Sequence, residues 1–551
     1  MRKFGIALYT IFAVLFAGLP VYVLVMSSKA IERTYEDFGP ELNIAIGIAA
    51  AVLLLHLIPK NFFRIPDPIM ALLWIIAGTR FRMSCFENLQ GYMLMKYDFA
   101  DVLRSAGGEA LIKEEIFTHW AFYPRLIAVW NTQRGEAGDS YEGAVYLNAI
   151  IGGLIVAVVY LIGARIFKRQ RAANTAAAIN CFWPLFAYYS AITSNEHPAM
   201  LFMLLASFFA ICAWQAAESA ISQQSGAVSI KGMLLSKKTL GGAICLLCAG
   251  FCAGAADIFK QFSPIFLVAC AATGVVFLLI GDSSKAVPGE AAGKKPLRFA
   301  ALALAIVIMT ACAGGLRGGA LNWLEKRVGR PVCRNASAHF LWIGLNSAGE
   351  GMWTREEGMK VYELADKYDG DYDRVMDELS LLLKEDLKAN SDKLPETLSA
   401  KMEEDWSADT ALSKWMRSLY DEERAWEDAH PGKTINWEVP RSERDLYDFD
   451  PGNVISKASA AMYMAVMGAV AVGALIGLFA PFRKPAQMYF RLLFYGYALV
   501  FLLSEAQGRY QVVLFPVFAV LAAAAVEDLS SFVIEFFKGK INKSGGMQCI
   551  N

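Results

Sequence analysis

Long apolar runs separated by short charged turns alternate along almost the whole chain. Twelve such runs can be drawn, over residues 4–26, 42–58, 68–79, 146–166, 172–189, 198–214, 240–256, 262–280, 299–316, 458–480, 488–503 and 512–526. A backbone surrounded by hydrocarbon must satisfy its own hydrogen bonds, and about 20 apolar residues in a helix cover a hydrocarbon core of about 30 Å. The pattern therefore predicts about twelve transmembrane helices. The third run is the shortest and could start before Asp67. The first follows Met1-Arg2-Lys3, the opening of a signal peptide, but its length and the lack of a small-residue cleavage site predict an uncleaved first span.

Two polar segments interrupt the alternation, residues 80–142 and 317–455. They divide the chain into an N-terminal membrane module (1–316) that carries the first large loop, a middle domain (317–455), and C-terminal spans with a short tail (456–551). The middle segment holds more acids than bases and is helical in pattern. Thr354 with Glu357 has capping-box spacing, and Leu394-Pro395-Glu396 has the form of a helix start. Its opening, Phe340 to Asn346, is too apolar for a solvated face and is expected to pack on the membrane domain.

Composition agrees with this picture: 56% of the 551 residues are hydrophobic and 19% charged, too apolar for a soluble chain of this length. The formal net charge of +0 hides an uneven distribution and gives no footprint for nucleic acid. Basic clusters at Arg2 and Lys3, Lys60 and Arg64, Lys168 to Arg171, Lys237 and Lys238, Lys294 to Arg298, Arg483 and Lys484, and Lys538 to Lys543 all fall on the side of the N-terminus. Basic loops stay cytoplasmic, so both polar segments are expected outside the plasma membrane. Of ten cysteines most lie in apolar runs, and Cys245, Cys248 and Cys252 read as tight helix packing rather than a metal site. Cys85 and Cys333 both fall outside, where a disulfide could form.

Ionisable groups beside spans are costly and are candidates for function. Four clusters fall at the expected outer surface: Tyr97-Asp98-Phe99-Ala100-Asp101, Asn195-Glu196-His197-Pro198, Asp257 to Gln261 with Lys260, and Glu505-Ala506-Gln507-Gly508-Arg509-Tyr510. Carboxylates beside cations suit group transfer from an anionic lipid, with one acid taking a proton from a hydroxyl and the cations holding the departing phosphate. Three of the clusters also have a plainer reading. Asp98 and Asp101 are one helical turn apart and fit surface acids, Asp257 with Lys260 fits a local ion pair, and His197 before Pro198 fits a structural helix start. No metal-ligand spacing is present, and His56, His119, His339 and His430 are scattered.

At these residues the chain resembles the GT-C superfamily of polyprenyl-phosphate-sugar-dependent glycosyltransferases, in its bacterial protein O-mannosyltransferase and aminoarabinose-transferase branch. Tyr97-Asp98-Phe99 followed by Val102-Leu103-Arg104-Ser105-Ala106, then Tyr123-Pro124, is similar to the family's catalytic outer loop. Tyr146 to Gly153 and Val159 to Phe167 resemble the span before its basic turn. Trp183-Pro184, Tyr188-Tyr189-Ser190 and Glu196 resemble the next span and the acid that opens the following helix. Gly250 to Pro264 with Lys260 resembles its Gly-rich helix, and Glu505 to Tyr510 its late Glu and Arg-Tyr motif before a span with Pro516. Gly344 to Trp353 is similar to the start of the outer domain in Gram-positive-type members.

The resemblance implies an all-α polytopic GT-C fold with a helical extracytoplasmic domain. It implies an inverting transferase that moves a sugar from a polyprenyl phosphate to a hydroxyl of a glycan, lipid or protein, without a cofactor. Asp98, or Asp101 one turn later, would be the general base with Glu196 as a second acid. Lys260, Arg509 and Tyr510 would bind the donor phosphate, and His197, Glu505 and Tyr123 would either line the acceptor side or support the site from behind. The chain departs from the family in having two spans more before Asp98, no adjacent Asp-Glu or Asp-x-Asp pair, and Asn195-Glu196 where many relatives have Thr-Asp. A lipid-linked glycan polymerase or ligase is an alternative with similar outer-face cations. A twelve-helix secondary transporter is another, although the two halves show no internal repeat.

Overall fold

The computed structural model describes residues 2–35, 38–58, 65–89, 98–109, 113–167, 169–222, 237–280, 291–406, 454–479 and 485–545. Within them the secondary structure is helical apart from one isolated bridge between Met352 and Ala506. The N-terminal half contains α1 (Arg2–Thr34), α2 (Gly39–Leu57), α3 (Asp67–Leu89), α4 (Asp98–Ala106), α5 (Lys113–Ile116), α6 (Tyr123–Gln133), α7 (Tyr141–Ile166), α8 (Gln170–Phe182), α9 (Pro184–Tyr188), α10 (Glu196–Ser222), α11 (Lys237–Phe259), α12 (Ser263–Ile280) and α13 (Ala291–Val328). There follow α14 (Ser337–Leu345), α15 (Arg355–Lys367), α16 (Tyr372–Ala389) and α17 (Leu394–Trp406), then α18 (Val454–Phe479), α19 (Pro485–Leu503) and α20 (Phe515–Gly545).

Among the described residues nine helices are long and apolar enough to cross a membrane: α1, α2, α7, α10, α11, α13, α18, α19 and α20. The chain is thus an all-helical protein of multi-pass character, and the other three apolar runs take different forms. The run at 172–189 breaks into α8 and α9 because Pro184 lacks an N–H and holds Trp183 extended, at φ −70° and ψ 110°. The run at 68–79 is the first half of the longer α3, which continues through Arg80 and Arg82 to Leu89. The run at 262–280 is a shorter apolar helix. α13 likewise passes the boundary drawn at 316 and ends only at Val328.

α7 is buried on nearly every side and forms the centre of the bundle. Within the bundle helices approach closely, because lipid gives apolar surfaces no reason to associate and small residues at contacts supply the packing instead. Gly254 of α11 shows why: a Cβ there would lie 2.8 Å from the Ala313 carbonyl oxygen and 2.9 Å from its Cα on α13. Cys248 and Cys252 lie along the same helix as free thiols.

The two ends of the bundle differ. At one end Arg169 Nη1 donates to the His56 carbonyl at 2.8 Å and Arg171 donates to the carbonyls of Leu55 and Ile58, so a basic turn caps the C-terminus of α2. Gln170 Nε2 donates to the Ile65 carbonyl at 2.6 Å, and Tyr160 Oη donates to Asp67 Oδ1 at 2.8 Å, which brings the start of α3 to the same end. The other end carries the close of α3 and α11 and the openings of α7 and α10.

The two polar segments of the sequence share one hydrophobic core. Ile116 and Phe117 pack with Cys333, Val361, Leu364, Val375 and Leu379. The Glu115 carbonyl accepts from Cys333 N at 2.8 Å, and its carboxylate accepts from Tyr372 Oη at 3.1 Å and pairs with Arg330. Cys85 and Cys333 are free, buried thiols in separate clusters, so the disulfide considered for them is not formed. Thr354 caps α15 by accepting from Glu357 N at 3.4 Å, and α17 begins at Leu394, as the sequence pattern predicts. The remainder of the acidic segment, residues 407–453, lies outside the described residues.

Candidate functional site

The site begins with a tether. Asn148, fully buried on α7, donates through Nδ2 to the carbonyls of Ser190 and Ile192, each at 3.0 Å. Tyr141 Oη donates to the Ala191 carbonyl at 2.9 Å, and Tyr123 Oη donates to Asn148 Oδ1. The loop that follows the Pro184 break is thereby fixed to α6 and α7, and it delivers Glu196 as the first residue of α10. His197 Nε2 hydrogen-bonds the Tyr189 carbonyl at 3.1 Å, which assigns this histidine to holding the loop. Burial pushes the Tyr123 phenol well above its usual range; the Asn148 contact pulls it back, and the Tyr189 and Glu196 charges add to the rise. Tyr123 therefore stays a neutral donor.

On the facing side, the Asp257 carboxylate accepts from Ser263 N at 2.7 Å and from Ser263 Oγ, closing the tight turn from α11 into α12. Lys260 sits in that turn. Its ammonium forms an ion pair with Glu196, and it lies 4.3 Å from the centre of the Tyr510 ring, a cation–π contact. The local Asp257–Lys260 pair considered from spacing gives way to this contact across 64 positions of sequence. Glu196 is 3% exposed, and the lysine compensates its charge in that buried setting.

The chain of contacts continues through the late motif. Tyr510 Oη donates to Glu505 Oε2 at 3.1 Å, Gln507 Nε2 donates to Glu505 Oε1, and Gln507 N donates to Asp405 Oδ1 at 3.1 Å. Three of the four clusters singled out in the sequence thus join in one chain of contacts: Glu196 with Lys260, Lys260 with Tyr510, and Tyr510 with Glu505. Arg509 lies beside Tyr510 in the short 3-10 turn Gly508–Leu514, with its side chain outside the described part of the structure.

The fourth cluster stands on α4, which packs along α6 through buried Val102, Leu103 and Ala106. Asp101 forms an ion pair with Arg104 on the same helix. Asp98 is the first residue of α4; its side chain, and all of Tyr97, lie outside the described residues. The structure therefore brings Glu196, Lys260, Tyr510 and Glu505 together, and sets Tyr123 and His197 in the loop support behind them.

Two groups escaped the sequence reading. Lys401 of α17 is fully buried and donates to the carbonyls of Gly344, Leu502 and Ser504 at 2.7, 2.7 and 2.5 Å, capping the end of α19. Asp405, one turn further on α17, holds Gln507. Burial pushes the Lys401 ammonium down to about 8, with Asp405 and Glu505 acting against the fall. The same burial holds the Asp405 carboxyl well above its usual range, with Lys401 opposing. Together with the Met352–Ala506 bridge, these contacts clamp the segment that carries Glu505 and Tyr510. Comparison with known proteins finds no matching family model and no matching curated protein.

Proposed function

We propose that this chain is an inverting glycosyltransferase of GT-C type, which moves a sugar from a polyprenyl phosphate to a hydroxyl acceptor at the extracytoplasmic membrane face. The observation that carries the reading is the meeting of Glu196, Lys260, Tyr510 and Glu505 at one end of a helical membrane bundle. They come from three separate sequence clusters, and no local pattern forces them into contact. The side on which α4 brings Asp98 is supported by its packing against α6, whose first residue, Tyr123, ties the Glu196 loop to α7.

In this reading the acceptor hydroxyl gives its proton to the Asp98 carboxylate as its oxygen attacks the anomeric carbon. The bond from that carbon to the phosphate oxygen breaks, the electron pair leaves with the lipid phosphate, and the configuration inverts. Lys260 and Arg509 meet the charge that develops on the departing phosphate, with Tyr510 setting the lysine in place. Glu196 orients Lys260 before the donor binds and can accept a hydrogen bond from the acceptor once the phosphate competes for the ammonium. Positioning and charge compensation supply most of the acceleration.

The test is sugar transfer from a radiolabelled polyprenyl-phosphate sugar by purified chain, comparing Asp98→Asn, Asp101→Asn and Glu196→Gln. Loss of one positioned base costs about a hundred- to ten-thousandfold in rate, and that loss is expected in Asp98→Asn with donor binding retained. A dead Asp101→Asn beside an active Asp98→Asn would move the base by one turn. Normal turnover in all three variants would remove the carboxylate mechanism.

A further inference from the structure

α3 buries a guanidinium in the interior of the bundle. Arg82 is 1% exposed and lies fifteen residues beyond Asp67, about 22 Å along the helix toward the end that bears Glu196 and Lys260. Its Nη1 donates to the Gly78 carbonyl at 3.2 Å, while Nε and Nη2 find no hydrogen-bond acceptor among the described residues. The niche that holds it is built for it. A Cβ at Gly152 of α7 would fall 2.2 Å from Nε, so only glycine leaves room there, and the Phe186 ring of α9 lies 5.0 Å from Cζ. Gly152 is one helical turn from Asn148, and Phe186 stands three residues before Tyr189. Arg82 therefore sits about 6 Å, one turn, beneath the loop that presents Glu196.

Lys260 and Arg82 stand near this end with different partners. Lys260 is already matched by Glu196, and a phosphate at Lys260 has to compete with that carboxylate. Arg82 has no carboxylate partner among the described residues, and its two orphaned donors, Nε–H and Nη2–H, point the same way. That edge is the fork which matches two oxygens of a phosphate. A buried, uncompensated cation is costly to keep and in a membrane bundle marks a ligand path.

We infer that Arg82 is a phosphate-binding residue, the anchor for the phosphate of a polyprenyl lipid one turn below the Glu196 loop. The inference rests on the reading that this chain handles such a lipid. Phosphate could equally arrive on an ordinary phospholipid headgroup, and the experiment separates the two.

The full chain in nanodiscs is tested for binding of labelled undecaprenyl phosphate and of undecaprenol, in wild type and Arg82→Met, with phosphatidylglycerol as competitor and the thermal midpoint measured without added ligand. Wild type is expected to prefer the phosphate. Arg82→Met is expected to lose roughly ten- to a hundredfold in affinity for undecaprenyl phosphate, to bind undecaprenol unchanged, and to keep or raise its midpoint, since an apolar side chain replaces an uncompensated charge. A lowered midpoint with equal loss for both lipids would make Arg82 structural and overturn the inference. Displacement of undecaprenyl phosphate by phosphatidylglycerol at equal lipid fraction would overturn the polyprenyl assignment. Unchanged affinity in Arg82→Met with phosphate preference intact overturns the inference alone, whereas wild type binding both lipids equally overturns it together with the reading on which it rests.

Discussion

Glu196 and Lys260 were each legible as polar groups beside a span, but their pairing was not, because 64 positions separate them and nothing in either motif names the other. Arg82 was hidden for a different reason: next to Arg80 at the end of a short apolar run it reads as the start of a loop, and only the length of α3 puts it inside the bundle. Lys401 was hidden by its surroundings, since a lysine on an acidic amphipathic helix has the pattern of a solvated face. The Glu196–Lys260 contact gives a residue-scale prediction. Lys260→Met takes an ion-pair partner from a buried carboxylate and should cost about 3–5 kcal/mol, while the double variant Glu196→Gln with Lys260→Met should recover most of that loss. Unfolding of the four forms in a double-mutant cycle measures it, and additive losses would show that the pair is not coupled.

Among the elements, those with a local signature were read well. The cap at Thr354 and the start of α17 at Leu394 follow from spacing alone. The break at Trp183-Pro184 escapes hydropathy, which sees composition and not the missing N–H. The Gly-rich α11 gains its reason only from its neighbour, since Gly250 and Gly254 face the backbone of α13. Gly254→Leu should destabilise by about 1–3 kcal/mol through overpacking, whereas Gly241→Leu on the same helix, with nothing within 4 Å of its Cβ position, should be tolerated. Thermal unfolding of the two variants checks this, and equal effects would contradict the close approach. Lys401→Met should loosen the clamp on residues 504–507 and speed hydrogen exchange there while leaving exchange in α7 unchanged; protection equal to wild type would remove the clamp.

For the molecule as a whole, the alternation of apolar runs and basic turns was sufficient to read a helical membrane bundle with two polar segments. It could not show that these segments share a core through Phe117 and Val361, because that contact joins stretches far apart in sequence. The expected sidedness is tested by single cysteines and an impermeant thiol reagent: position 371 should label in intact cells, and position 294 only after the membrane is opened. The reverse pattern would remove the donor-side assignment. The central claim is that the end bearing Glu196, Lys260 and Tyr510 receives a lipid-linked sugar, and a density map of the purified chain with a non-hydrolysable polyprenyl-phosphate sugar tests it most directly. The account predicts phosphate density within hydrogen-bond reach of Lys260 or Arg82, with the sugar toward α4. Density at the opposite end, beside Asp67, Tyr160 and Gln170, would contradict it.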